Sequence, residues 1–147
     1  MTDHVTTHQA EEDARNEEIL IWLNGRVVPK AQALVSVYDS GFMLGDGVWE
    51  GIRLYDGRWA FLDEHIERLF EAAKAIDLDI RLSPAEVIAA IHETQAANAM
   101  TTDAHARLMV TRGVKTRPFQ HPSLSRQGPT RTIIMEHSKP KIPLPIR

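Results

Sequence analysis

Cysteine is missing from all 147 residues, which excludes disulfides, thiolate zinc sites and a cysteine nucleophile. Positive charge is not in excess: 17 Lys and Arg stand against 20 Asp and Glu, for a net charge of -3. No broad basic field therefore invites nucleic acid or an anionic membrane surface. No apolar run approaches the roughly 20 residues of a membrane-spanning helix. Residues 1–18 are polar and acidic, without the apolar stretch of a signal peptide. Internal repeats are absent as well. What remains is an ordinary globular composition, 43% hydrophobic and 25% charged, sufficient for one domain with a sizeable core. The expected setting is soluble and cytoplasmic.

Residues 1–18 offer almost nothing to bury and read as a disordered arm; a metal role for His4 and His8 is the alternative to a plain tail. Order is expected from Ile19-Leu20-Ile21-Trp22-Leu23. Asn24-Gly25 then separates this run from Val27-Val28, a two-residue hairpin signal because both central positions tolerate positive φ. Pro29 ends the second strand or places it at an edge. A short strand is expected over 35–38, a glycine-rich loop over 39–47, and strands over 48–55 and 58–62 joined by Asp56-Gly57.

From Asp63 the period changes. Ile66, Leu69, Phe70, Ala73 and Ile76 fall on one helix face, with Asp63 as the expected cap. Ser83-Pro84-Ala85-Glu86 opens a second helix, with Ser at N-cap, Pro at N1 and Glu completing a capping box. Strands over 104–113 and 130–137 follow, separated by a long loop over 115–129 of the kind that is functional or disordered. The sum is an α+β domain over 19–137, two main helices packed on a mostly antiparallel sheet. The end, 138–147, with prolines at 140, 143 and 145, reads as an interdomain linker or a truncated end.

Chemistry-bearing residues are few. Gly41-Phe-Met-Leu-Gly-Asp-Gly47 lacks the ending of a P-loop and leads into a strand rather than a helix, so it reads as a tight turn. Arg68 lies roughly opposite the apolar stripe of its helix; spacing alone makes it a solvated charge, and its functional alternative is an anion ligand. Arg107, Arg112 and Arg117, with Phe119 and His121 nearby, would suit a carboxylate substrate, or else serve as surface charge or partner contacts. The five remaining histidines, His65, His92, His105, His121 and His137, have no metal-like short spacing with a third ligand.

The segment Phe42-Met-Leu-Gly-Asp-Gly-Val-Trp-Glu-Gly-Ile-Arg53, with Leu-Asp-Glu-His-Ile-Glu-Arg-Leu69 after it, resembles the class IV pyridoxal-phosphate aminotransferases. That family includes branched-chain and D-amino-acid aminotransferases, (R)-selective amine transaminases and aminodeoxychorismate lyase. Ile-Trp-Leu-Asn-Gly25 and Arg107-Leu-Met-Val-Thr-Arg-Gly113 fit as well. The resemblance runs from about residue 19 to 139 and covers the family's smaller N-terminal domain.

The resemblance implies pyridoxal 5'-phosphate as cofactor, an amino acid or amine and a 2-oxo acid as substrates, and a homodimer. It puts Arg68 on the cofactor phosphate. Trp49 matches an aromatic position of the substrate pocket, where D-amino-acid enzymes carry tyrosine, and Leu44 stands where branched-chain enzymes carry another. Arg107 matches the branched-chain enzymes' substrate-side arginine, with His105 in place of its companion tyrosine. Arg117 resembles the loop arginine of the D-amino-acid enzymes, with Phe119 where they carry histidine. The family's Schiff-base lysine matches none of Lys30, Lys74, Lys115, Lys139 and Lys141, so no catalytic residue is assigned and the chain alone is expected not to catalyse. A non-catalytic binding domain and a carbon–nitrogen lyase are the alternative readings.

Overall fold

A computed structural model describes residues 12–140. Strands β1 (Leu20–Leu23) and β2 (Arg26–Pro29) form the first hairpin. Its two turn residues, Asn24 and Gly25, have φ of 49° and 89°, the left-handed pair that matches the twist of the flanking strands. Pro29 ends β2 at the sheet edge, where a missing N–H removes no ladder bond. The short helix α1 (Ser40–Leu44) precedes β3 (Gly47–Tyr55), which turns through Asp56-Gly57 into β4 (Arg58–Trp59). Helices α2 (Leu62–Ala75) and α3 (Pro84–Ala97), then β5 (Ala104–Thr111) and β6 (Thr130–His137), complete the order.

The six strands lie in the order β2-β1-β6-β5-β3-β4, and every pairing is antiparallel. Alternation along β3 and β5 sends Ile52, Leu54, Ala104, Ala106, Leu108 and Val110 to one face. There they meet Ile66, Leu69 and Ala73 of α2 and Val87, Ala90 and Ile91 of α3 in a single core. The other face carries Trp49, Gly51 and Arg53 beside His105, Arg107 and Met109. The expected α+β domain is thus present, with its sheet wholly antiparallel.

Ser83 and Glu86 form the expected reciprocal capping box at α3. Elsewhere local expectation yields to tertiary structure. No strand forms over 35–38: Val35 and Val37 are exposed, and the segment turns as Asp39 N–H donates to the Ser36 carbonyl. The expected loop over 39–47 contains α1, because the Asp39 carboxylate caps Gly41 N–H at 2.8 Å and is held by the Thr111 and Thr130 hydroxyls at 3.0 and 2.6 Å. The strand expected to reach Leu62 stops at Trp59, since Phe61 takes φ 52° and α2 begins at Leu62. Asp63 is not the cap; it sits with Glu64 in the first turn, where acidic charge meets the positive helix end. Of the expected arm, residues 1–11 lie outside the described residues. Its last part is docked: Asn16 exchanges two hydrogen bonds with the His137 backbone at 2.9 and 2.7 Å. The expected linker is described only to residue 140.

Candidate functional site

Strand β3 presents chemistry on both faces at a largely free edge. Only Leu54 and Tyr55 pair with β4, so among the described residues no strand lies beside the edge over 47–53, where the Arg53 carbonyl accepts from Ala60 N–H. On the helix side stands Glu50, 5% exposed, in a register otherwise apolar. A carboxylate there requires hydrogen-bonding or charged partners, and α2 supplies two from successive turns. Arg68 donates from Nε to Oε1 at 2.6 Å and from Nη2 to Oε2 at 2.7 Å, while His65 Nδ1 lies 2.7 Å from Oε2. The Arg68 hydrogen bonds, opposed by burial and joined by the bond to His65, hold the Glu50 carboxyl below its ordinary range.

This pairing aims the guanidinium. Arginine has five N–H donors in a flat fork. Glu50 occupies the Nε/Nη2 edge, and Nη1 has no partner among the described residues. The Arg68 side chain is 66% exposed; Nη2 also lies 3.3 Å from His65 Nδ1, which leaves Nη1 as the donor open to a further acceptor. A phosphate oxygen is such an acceptor, so Arg68 fits the phosphate of the cofactor implied by the sequence. Its carboxylate brace, Glu50, was missed in the sequence. The available signal was an acid alternating with Val48, Ile52 and Leu54 on a core-facing register.

On the opposite face, Arg107 lies across from Gly51, and its guanidinium carbon stacks 4.2 Å from the centroid of the Trp49 ring. Trp49 is 61% exposed. Two expected substrate residues are therefore in contact. They lie on the sheet face opposite the one that carries Glu50 and its partner Arg68. His105 is across from Arg53. Burial, then the charges of Arg53 and Arg107, push the His105 imidazole below its ordinary value.

Leu44, Arg117 and Phe119 are exposed at the α1 end and on the β5–β6 loop. Among the described residues no hydrogen bond or ion pair joins Arg117 or Phe119 to the Trp49–Arg107 pair. Their loop is nevertheless built. Lys115 is 2% exposed, and its Nζ donates to the Gln120 and His121 carbonyls at 3.2 and 3.1 Å, closing the stretch that bears both residues. Its root is fixed by Arg112, whose fork grips Asp46 at 2.8 and 3.1 Å and reaches the Ile76 and Asp77 carbonyls. Burial works to raise the Asp46 carboxyl, but Arg112 and the Ser40 hydroxyl outweigh it and leave it lowered. No group of three potential metal ligands exists among the described residues; His4 and His8 lie outside them. No helix of the described residues is long and apolar enough to cross a membrane.

The family described as Amino-transferase class IV matches residues 47–146, and the chain belongs to that family. A putative branched-chain-amino-acid aminotransferase of Methanocaldococcus jannaschii is 50% identical over 94 residues, covering 64% of this chain and 32% of the relative. Branched-chain-amino-acid aminotransferase-like protein 1 of Arabidopsis thaliana is 39% identical over 125 residues, covering 85% and 22%. Among solved structures, a branched-chain aminotransferase from the thermophilic archaeon Thermoproteus uzoniensis, with norvaline, superimposes with a TM-score of 0.68 at 30% identity, over 81% of this chain and 40% of that one. A 4-amino-4-deoxychorismate lyase from Pseudomonas aeruginosa gives 0.65 at 28% identity, over 84% and 42%. The chain thus spans about a fifth to a third of the length of the curated relatives it matches, and it corresponds to their N-terminal part.

Proposed function

We propose that this chain forms the small-domain side of a pyridoxal-phosphate aminotransferase site, in an assembly that moves an amino group between an amino acid or amine and a 2-oxo acid. The observation that carries the reading is the Glu50-braced Arg68, with Nη1 of its guanidinium left for an anion. Pyridoxal phosphate, when bound, supplies the carbonyl and electron sink through which the amino group is exchanged. Arg68 holds the phosphate, and Glu50 keeps the guanidinium aimed and its charge locally balanced. Trp49 walls the other side of the β3 edge and stacks on Arg107, which receives a substrate carboxylate. Leu44, Arg117 and Phe119 border the same entrance from α1 and the loop. The remainder of the reading is a cytoplasmic homodimer, which gel filtration tests; the exposed apolar residues Leu34, Val35, Val37 and Phe42 support a surface covered by protein.

The likeness to the deoxychorismate lyase favours carbon–nitrogen cleavage as the second reading. Assays on an assembly that supplies the family's lysine separate the two. Matched consumption of an amino donor and a 2-oxo acid acceptor supports amino transfer. Product release that needs no acceptor supports the lyase, and neither activity overturns both. Within the transferase, Arg107→Ala is expected to slow a carboxylate-bearing donor far more than a neutral amine in single-turnover half-reactions.

A further inference from the structure

Helices α2 and α3 and the segment joining them line an open groove of about 780 Å³. Its floor is apolar: Ile66, Phe70 and Ala73 follow one another along α2 at i, i+4 and i+7, and Ile80 and Ile88 complete it. Phe70 and Ile88 pack at the margin of the core and are only partly buried, so the floor keeps apolar surface in water. The rim is acidic. Asp63, Glu67, Glu71, Asp77 and Asp79 line it, with Lys74 the one cation among the described lining residues. The rim thus holds four net negative charges, while the whole chain carries only -3. Among the described residues no ion pair engages these five carboxylates, and only that of Asp79 accepts a hydrogen bond, from Arg81 N–H at 2.9 Å. The groove is also separate from the cofactor arginine. At about 100° per residue, Arg68 stands about 200° around α2 from both Ile66 and Phe70.

We infer that this groove docks a cationic amphipathic helix of a partner protein, its apolar stripe on the floor and its Lys and Arg side chains against the rim. Charge sets the sign of the occupant, because unpaired carboxylates around an apolar floor attract cations and repel acids. Length sets its size. The carboxylates run from the first turn of α2 to beyond its last, and the 14 residues of that helix span about 21 Å, too far for one ion to answer both ends. Backbone chemistry sets its conformation. The two helical walls bond their interior N–H and C=O groups within themselves, so an extended strand would find no ladder partner there, whereas a helix brings its own backbone bonds. Two such grooves face to face would set like charges against each other, which disfavours a symmetric pairing of copies.

The test titrates the 147-residue chain with a synthetic peptide as long as α2, with Leu at i, i+4, i+7 and i+11 and Lys and Ala elsewhere. Amide resonances of the chain and circular dichroism of the peptide are followed. The peptide is expected to bind, to gain helicity and to shift amides within 63–88, and a scrambled peptide of the same composition to bind about tenfold more weakly. Glu67→Lys with Glu71→Lys should weaken binding about tenfold or more, whereas Glu12→Lys with Glu18→Lys, the same charge change at exposed positions outside the groove, should leave it within about twofold. Lys74→Glu works in the opposite direction and should tighten binding, and amide spectra report the folding of every variant. The inference is overturned by absence of binding, by equal affinity for the scrambled peptide, by shifts centred on Trp49 and Arg107, or by equal weakening in the two Glu→Lys pairs. Spermine displacing the peptide at comparable affinity would assign the rim to a small polycation and also overturn the helix.

Discussion

Arg68 and Glu50 together do what neither side chain could do alone. On a helix surface an isolated arginine samples many rotamers, and fixing it on an anion carries an entropic cost. Glu50, immobile in the sheet, takes up that ordering before any ligand arrives. Arg68→Ala is accordingly expected to weaken retention of pyridoxal phosphate about tenfold or more, measured by cofactor titration in the assembled enzyme. Arg68→Lys should recover only part, because an ammonium has no planar fork. Glu50→Gln should fall between, loosening the aim while leaving the arginine in place. Unchanged affinity in Arg68→Ala would return this residue to the solvated charge that its helical spacing suggests. The same residues mark what could be read beforehand. Arg68 acquired a function through family resemblance, since periodicity places it only on an outward stripe. The contact of Trp49 with Arg107 depends on β3–β5 register, which links residues that hydrophobic patterning treats separately.

At the level of elements, local chemistry was legible and distant chemistry was not. Asn24-Gly25, Asp56-Gly57 and the Ser83–Glu86 box each complete their hydrogen bonding or backbone requirement within a few residues, and each is found where the sequence puts it. Helix α1 depends instead on Asp39, whose hydroxyl partners lie 72 and 91 positions away; no window of sequence contains them. The β5–β6 loop is also built from distant parts. Gly113 opens it with φ 90°, and a Cβ there would collide with the Gly128 carbonyl, a backbone atom that cannot rotate aside. Gly113→Ala is therefore expected to destabilise the fold by about 2–3 kcal/mol and to free the segment bearing Arg117 and Phe119. Urea denaturation and protease sensitivity within 115–129 check this; an unaltered midpoint with an intact loop would refute it.

For the molecule as a whole, stability should carry the imprint of two acid–arginine pairs that brace one edge strand. Asp46 with Arg112 fixes the start of β3, and Glu50 with Arg68 pins its middle to α2. Both carboxyls are lowered in the folded state, so their contribution is complete above the ordinary carboxylate range and is lost as pH falls through the lowered folded values. The urea midpoint is expected to hold near neutrality and to decline below about pH 4, with a shallower decline in Glu50→Gln and Asp46→Asn. A decline identical in the parent and both variants would place the acid sensitivity elsewhere.

The strand order has a consequence for how the chain comes into being. β6 lies between β1 and β5, joined to β1 at Trp22↔Ile133 and Leu23↔Thr132 and to β5 along its full length, yet of the six strands among the described residues it is the last to be made. A ribosome that has reached Gly128 has made two disconnected pieces of sheet, the β1–β2 hairpin and the β3–β4–β5 unit, each with a raw backbone edge facing the other. Vectorial synthesis cannot close that gap early, and the few seconds of elongation before Thr130–His137 emerges are when these edges are open to pairing with another nascent chain. The eight residues of β6 act as a keystone that arrives after the arch it must join.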